Sequence, residues 1–452
     1  MQLQIRHIEN LTEKPQFEIV CMSNGKHSEA VCLTPPYEIM VKPHNITLQQ
    51  GLKWYLEEYL KLPIETYQTK AENIQETLRL WGKETFKTLF NSDLTGKWYQ
   101  QGRQEGLASL DINVVSDNPA VLAWPWEALE SETNGCLALK CNVERQLYKI
   151  ADARPPAGAL PKDQLNILYI IARRFGVNDV GFQILAKPLI NFAFAGNESW
   201  PVHIDLLRPP TFDQLLTVLR EKPGFYHIVH FDGHGGYGYH DASDRSAGLE
   251  GSLVFEKEAG NGGKPVSAEM LGELLSEHNI PVMVLNACRS AMLDERAETP
   301  FASVAASLIK AGIYSVAAMS YNLWVSGAKE FLPAFYRQLF KNGSVMEAMR
   351  IGRQEMYRNN MRDSYAGKVK FNDWIVPVLY QQLPCGNSVI PRLMPGKDRT
   401  SSLPEEILEL GNYGFIGRDR TVLQLEQAVQ RQSQAGILIH GISGEGKTTL
   451  TK

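Results

Sequence analysis

The chain predicts an α/β fold in which a mostly parallel sheet carries helices on both faces, with an α+β subdomain ahead of it and a phosphate-loop segment behind. Three observations predict this. From residue 165 onward, apolar runs of strand length alternate with amphipathic helical patterns, the rhythm of a parallel sheet. Before residue 150, short alternating segments precede two long helical patterns. Near the end, a strand-like run leads straight into a Gly-rich turn and Lys-Thr.

The first region, residues 1–155, opens with apolar alternation at Leu3 and Ile5, at Phe17 and Ile19, and at Tyr37, Ile39 and Val41, each bounded by turn residues. A helix is expected over Leu52–Leu60, ending before Pro63, and another over Ala71–Phe90, with Ile74, Leu78, Trp81, Phe86 and Leu89 close to a 3.6-residue period. Trp124-Pro-Trp-Glu127 follows a further apolar run, and its two indoles read as core anchors rather than ligand stackers. The Pro-rich stretch from Arg154 to Pro161 breaks periodicity and marks a connector.

In the second region, residues 156–383, the expected order begins with the strand Leu165–Ile171. A helix opened by Thr211 with Gln214 in capping-box spacing follows, then the strand Tyr226–Phe231 and a helix over Ser267–Glu277. The strand Val282–Leu285, a helix over Phe301–Lys310, the strand Ser315–Met319, and helices over Ala328–Phe340 and Val345–Arg358 complete it. Tyr237 to Gly263 is Gly- and Asp-rich with Leu253-Val-Phe255 inside it, which predicts a hairpin. Residues 384–410 have a linker's composition, and 411–452 begin a new pattern.

Composition narrows the function. With 452 residues, 44% of them hydrophobic, the chain has material for several cores, which excludes disorder. A net charge of −4, without long blocks of one sign, argues against non-specific nucleic-acid binding. Six cysteines at irregular positions form neither a disulfide scaffold nor a zinc spacing. A secretory leader and an apolar stretch of membrane-spanning length are both lacking, so a cytoplasmic protein without membrane association is expected.

Ligands of open parallel sheets gather at the carboxyl ends of the strands, and two expected strands end there in polar chemistry. One ends in His230-Phe-Asp-Gly-His-Gly-Gly236, the other in Asn286-Ala-Cys-Arg-Ser290. A cysteine nucleophile needs a base in hydrogen-bond reach and N–H donors where the acyl oxyanion forms. His234 supplies the base. Gly233 and Gly235 allow a sharp turn that presents the Gly235 amide, Cys288 supplies the thiol and a second amide, and Arg289 places a positive charge beside it. A metal site is the competitor, because His227, His230, Asp232 and His234 crowd together. However, His227 and His230 are three apart in a period-two strand, and the Asp-His adjacency of a metallohydrolase is lacking, so no metal is expected. His230 reads as a residue that packs beneath the site.

His230-Phe-Asp-Gly-His-Gly and Val284-Leu-Asn-Ala-Cys-Arg-Ser-Ala resemble the CHAT family of caspase-like cysteine peptidases, relatives of separases and caspases. The resemblance extends more weakly to Trp124–Glu127, Ala317–Tyr321, Phe331–Gly343 and Trp374–Tyr380, so that residues 1–155 resemble the non-catalytic half of such proteins. It implies a caspase-like sheet, His234 as general base, Cys288 as nucleophile, and the Gly235 and Cys288 amides as oxyanion donors, with no cofactor for proteolysis. It also places the segment Met319, Ser320, Tyr321 and Asn322 in a wall of the specificity pocket. Asp232, Asp241, Asp244 and Asp294 are acids near the two turns that suit a basic substrate residue, each weighed against being a solvated loop acid.

The last segment carries Gly441-Ile-Ser-Gly-Glu-Gly-Lys-Thr448 after Ile437-Leu-Ile-His440, a complete phosphate-loop motif. Gly441, Gly444 and Gly446 would cradle phosphates, Lys447 would meet the terminal phosphates and Thr448 the magnesium. Phe415-Ile-Gly-Arg ahead of it resembles the start of STAND-class NTPases. A P-loop domain needs on the order of 100 further residues, so ATP and magnesium are expected only in a longer parent and no hydrolysis by this chain. The leading expectation is a cysteine endopeptidase acting on a protein substrate, controlled by nucleotide-dependent self-assembly of a longer parent in prokaryotic defence or regulated death. The alternatives are a silent caspase-like scaffold and an ATPase with a sensor in front.

Overall fold

In a computed structural model the described residues are 1–8, 14–148, 160–172, 200–238, 250–257, 262–288, 300–382 and 390–394, with 438 and 440. The strands that matter are β1 (Gln2–Ile8), β2 (Gln16–Cys21), β3 (Asp111–Val115), β4 (Asn142–Gln146), β5 (Leu165–Ile171), β6 (Val202–Leu206), β7 (Ile228–Gly238), β8 (Glu250–Glu256), β9 (Gly263–Ser267), β10 (Val282–Cys288), β11 (Ser315–Met319) and β12 (Pro377–Gln381). With two short edge strands, they build one fourteen-stranded sheet whose path runs β6-β5-β7-β10-β11-β12-β4-β3-β1-β2.

The helices are α1 (Leu48–Glu57), α2 (Glu65–Phe90), α3 (Asp93–Gln104), α4 (Phe212–Glu221), α5 (Ala268–Glu277), α6 (Pro300–Lys310), α7 (Val325–Asn342) and α8 (Val345–Arg358). They lie on both faces of the sheet. On one, α7 brings Tyr336 onto His230; on the other, Val304 of α6 packs so closely on Gly251 of β8 that a Cβ there would sit 2.5 Å from it.

Strand direction divides the sheet into two blocks. Strands β5, β6, β7, β10 and β11 run parallel to one another. β12 is antiparallel to β11, and β4, β3 and β1 follow β12 in its own direction. Two parallel blocks of opposite sense therefore meet at the β11–β12 seam, and their carboxyl ends open on opposite edges. One hydrogen-bonded sheet thus carries strands from both the 1–155 and the 156–383 regions.

The N-terminal core forms where Phe17, Trp81, Trp124 and Trp126 converge, the last two stacked 5.4 Å apart. The Trp126 indole donates to the Val121 carbonyl at 2.9 Å, which satisfies its polar edge inside the core. Both tryptophans are buried, as their reading as anchors required.

Several elements differ from expectation. α1 starts four residues early because Thr47 and Gln50 form a capping box, and α2 starts at Glu65. Tyr37 lies in a turn, only Met40–Val41 of its segment being strand. Most of the Arg154–Pro161 connector and most of 384–410, together with Gly441, Gly444, Gly446, Lys447 and Thr448, lie outside the described residues.

Candidate active site

β5 ends its pairing with β7 at Ile171 opposite Asp232, and the Ala172 amide donates to the Asp232 carbonyl at 2.9 Å. Beyond that point β7 continues as strand, exchanging β5 for β8, so that His234 stands opposite Val254 and Gly235 opposite Leu253. On its other edge β7 stays paired with β10 through seven rungs, the last three being Asp232–Asn286, Gly233–Ala287 and His234–Cys288. The expected sharp turn at the glycines is therefore corrected: 233–238 is extended strand, and so is the segment reaching Cys288. The reason Gly233 has no side chain is space. A Cβ there would lie 2.8 Å from both the Ala172 carbonyl oxygen and the Phe231 ring.

This register brings the expected base and nucleophile to one rung at the carboxyl ends of adjacent parallel strands, which lie about 4.8 Å apart. The His234 ring is buried, with 3% of its surface exposed. Below it, Asp232 is fully buried and accepts a hydrogen bond from Asn286 Nδ2 at 3.1 Å. Asp232 is thus not a solvated loop acid but part of a buried polar rung two residues before the His234–Cys288 rung. Asp241, Asp244, Asp294 and Arg289 lie outside the described residues.

One layer deeper, His230 is wholly buried, its Nδ1 2.6 Å from the Tyr336 hydroxyl and its ring 4.3 Å from that of Tyr169. Burial pushes its pKa down to about 3, so the ring is neutral and packs beneath the site. His227 points to the opposite face, as the strand period requires. Its Nε2–H donates to the Pro161 carbonyl at 2.8 Å while Nδ1 accepts from the Asn166 amide at 3.1 Å. The two histidines therefore share no ligand position, and no group of three or more His, Cys, Asp or Glu with metal-binding geometry occurs among the described residues.

The expected pocket-wall residues follow β11 at the same edge. Met319 pairs with Pro377 and is 1% exposed, which places its side chain in the core rather than on an open wall, a correction with apolar burial as its cause. Ser320 is half-buried, its amide and hydroxyl both donating to the Val376 carbonyl at 2.9 and 3.0 Å; Tyr321 is half-buried beside it. Sequence reading did not single out Asn286, although its amide fixes Asp232. The signal in the sequence was its position two residues before Cys288.

A cavity of about 880 Å³ lies elsewhere, between α2, α8 and the Asn372–Ile375 segment, with Tyr55, Cys136, Lys140 and Trp374 among its lining. Burial, reinforced by Glu130, pushes the Cys136 thiol up to about 11, which leaves it protonated and unsuited to attack. The expected base and nucleophile do not line this cavity.

A family model for the CHAT domain matches residues 86–384, about two thirds of the chain. The chain belongs to the CHAT domain family. No curated protein matches it. Among solved structures this CHAT protein is similar to separase in the separase–securin complex of Saccharomyces cerevisiae, at 9% identity and a TM-score of 0.45, over 84% of this chain and 30% of the separase chain. It is also similar to the complex of pro- and mature domains of RgpB from Porphyromonas gingivalis, at 10% identity and a TM-score of 0.37, over 76% of this chain and 77% of that one. The CHAT protein thus spans less than a third of the separase length. No helix among its described residues is long and apolar enough to cross a membrane.

Proposed function

We propose that this CHAT protein is a cysteine endopeptidase acting on protein substrates, with His234 as general base and Cys288 as nucleophile. The observation that carries the reading is the in-register pairing of these two residues at the carboxyl ends of adjacent parallel strands. In the proposed reaction His234 takes the thiol proton as sulfur adds to the scissile carbonyl carbon, and the Gly235 and Cys288 amides donate to the resulting oxyanion. Collapse of that intermediate breaks the C–N bond, and the imidazolium protonates the leaving amine. Water, deprotonated by the same imidazole, then hydrolyses the thioester and restores the thiol.

Ser320 and Tyr321 form the proposed wall against the substrate side chain, with Asp232 buried beneath the proposed dyad. The low exposure of His234 supports a resting state that is latent until the site opens. We extend the proposal to control by nucleotide-driven self-assembly through 441–448 in a longer parent, in the cytoplasm, and to a role in defence or regulated death. The phosphate-loop motif and the family resemblance support that extension.

The test is incubation of the full chain, Cys288→Ala and His234→Ala with a diverse peptide library and with a thiol-directed peptidyl ketone. Cleavage and covalent labelling are expected in the native chain, with loss of at least about 10³-fold in both variants, the scale of removing a group that acts as one unit with its partner. Cleavage that survives Cys288→Ala would eliminate the dyad. A native chain that is neither labelled nor active, with or without ATP and magnesium, would favour a scaffold.

A further inference from the structure

The segment that leaves β11 toward α7 is held by the N-terminal half of the molecule. The Asn322 amide donates to Glu57 Oε1 at 3.3 Å, and the Trp324 indole N–H donates to the Leu56 carbonyl at 2.7 Å. Both partners end helix α1, where carbonyls lack intrahelical donors, so the Trp324 indole fills a position the helix itself leaves open.

Glu57 is costly there for local reasons. It is a carboxylate at the negative end of a helix macrodipole, followed by Glu58, with no basic residue in the last turn, and it is 7% exposed. From this buried position the Glu57 side chain reaches across to the Asn322 amide. On the other side, the Ser320 amide and hydroxyl are tied to the Val376 carbonyl. The backbone from Ser320 to Trp324 is therefore anchored at both ends, by the central seam on one and by α1 on the other.

We propose that Glu57 is a positioning residue that fixes the Ser320–Trp324 segment, and through it the substrate wall, from outside the catalytic half. The wall's role rests on the peptidase reading; the anchoring itself does not. Glu57→Gln keeps an oxygen acceptor for the Asn322 amide and Glu57→Ala removes it, while Trp324→Phe removes the indole donor and keeps a smaller aromatic ring. Any perturbation of α1, such as a partner binding beside it, would then reach the site through these two contacts.

The experiment compares the full native chain with Glu57→Ala, Glu57→Gln and Trp324→Phe by amide hydrogen exchange over 320–324, alongside cleavage of the peptide library. Glu57→Ala and Trp324→Phe are expected to speed exchange in that segment at least tenfold without changing the β7 and β10 core amides, and Glu57→Gln to stay near the native rate. With an active native chain, KM is expected to rise about tenfold for Glu57→Ala with kcat changed less than threefold, and Gln is expected to restore it. Unchanged exchange in Glu57→Ala overturns the proposal. So does faster exchange throughout the protein that Gln does not rescue, since that reports only a loss of stability. A native chain that cleaves nothing while exchange responds as stated defeats the peptidase reading and leaves the anchor standing.

Discussion

Arg145 grips Glu127 through two nitrogens, Nη1 at 2.6 Å and Nη2 at 2.8 Å, in a place where neither side chain is more than 1% exposed. Arg353 of α8 adds a third contact to the same carboxylate at 3.1 Å, and its Nε donates to the Pro377 carbonyl at the start of β12. The glutamate of the Trp124-Pro-Trp-Glu127 motif is therefore the point at which the N-terminal half, helix α8 and the central seam are joined. Burial alone would raise the Glu127 pKa; the charge and hydrogen bonds of Arg145, with the charge of Arg353, outweigh it and hold the carboxyl below its usual range.

Glu127→Ala is expected to cost about 3–5 kcal/mol, because it leaves two buried guanidinium groups without their counter-charge. The sign with pH follows from the lowered pKa. The pair's stabilisation is complete above the ordinary carboxylate value near 4.5 and is lost as pH falls through the lower folded value. Urea melts of native and variant protein between pH 7 and pH 3 check this: the gap between them should narrow below pH 4.5. A gap below about 1 kcal/mol at pH 7 would contradict it.

The β-strands that the sequence reveals are those dominated by apolar residues. Leu165–Ile171 and Ser315–Met319 stand where their patterns end, and Val345–Arg358 coincides with its amphipathic period. β4 stays hidden because Asn-Val-Glu-Arg-Gln reads as a solvated stretch, yet all five residues are buried. Arg145 and Asn142 are met there by partners distant in sequence, Glu127 and Arg350, which no local window contains. The shared rung of His234 and Cys288 was approachable from sequence because both residue types are chemically conspicuous at the ends of apolar runs. The shape around it was misread because Gly233 suggests a turn when its real constraint is the Ala172 carbonyl alongside.

That constraint makes Gly233→Ala a probe of the site. The new methyl group must push either the end of β5 or the Phe231 ring, an overpacking cost of about 1–3 kcal/mol. The shift falls on the residue before His234, so labelling of Cys288 by the peptidyl ketone is expected to drop at least tenfold in material that still melts cooperatively. Native labelling with native stability would show that the strand yields there.

His230 should make the protein acid-sensitive. Its folded pKa, driven down to about 3 by burial, lies below its ordinary value of 6.5, so the unfolded chain takes up a proton first. Stability is complete above pH 6.5 and falls as pH drops from there toward 3. His230→Gln retains a partner for the Tyr336 hydroxyl and removes the titration. Its stability should therefore change less between pH 6.5 and pH 4 than that of the native protein, as denaturant melts at half-unit intervals would show. Parallel curves would mean that His230 becomes protonated without unfolding.

Glu144 should act in the opposite direction. It lies in a buried polar rung across three parallel strands, Gln4 pairing with Asn113 and Asn113 with Glu144. Gln146 Nε2 donates to its Oε1 at 2.7 Å, but Oε2 has no hydrogen-bond partner among the described residues. Burial raises its pKa to about 8, against an ordinary value of 4.5, so the folded state keeps a proton that the unfolded state has already lost. Stability is then complete below pH 4.5 and declines as pH rises toward 8, where the carboxylate finally ionises inside the sheet. Glu144→Gln keeps the size and an oxygen acceptor and cannot ionise. Its melting temperature should match the native value within about one degree at pH 4.5 and exceed it by several degrees at pH 8.5, a difference on the scale of a few kcal/mol in a domain of this size. A variant that melts below the native protein at pH 8.5 would show that the ionised carboxylate is stabilised where it stands.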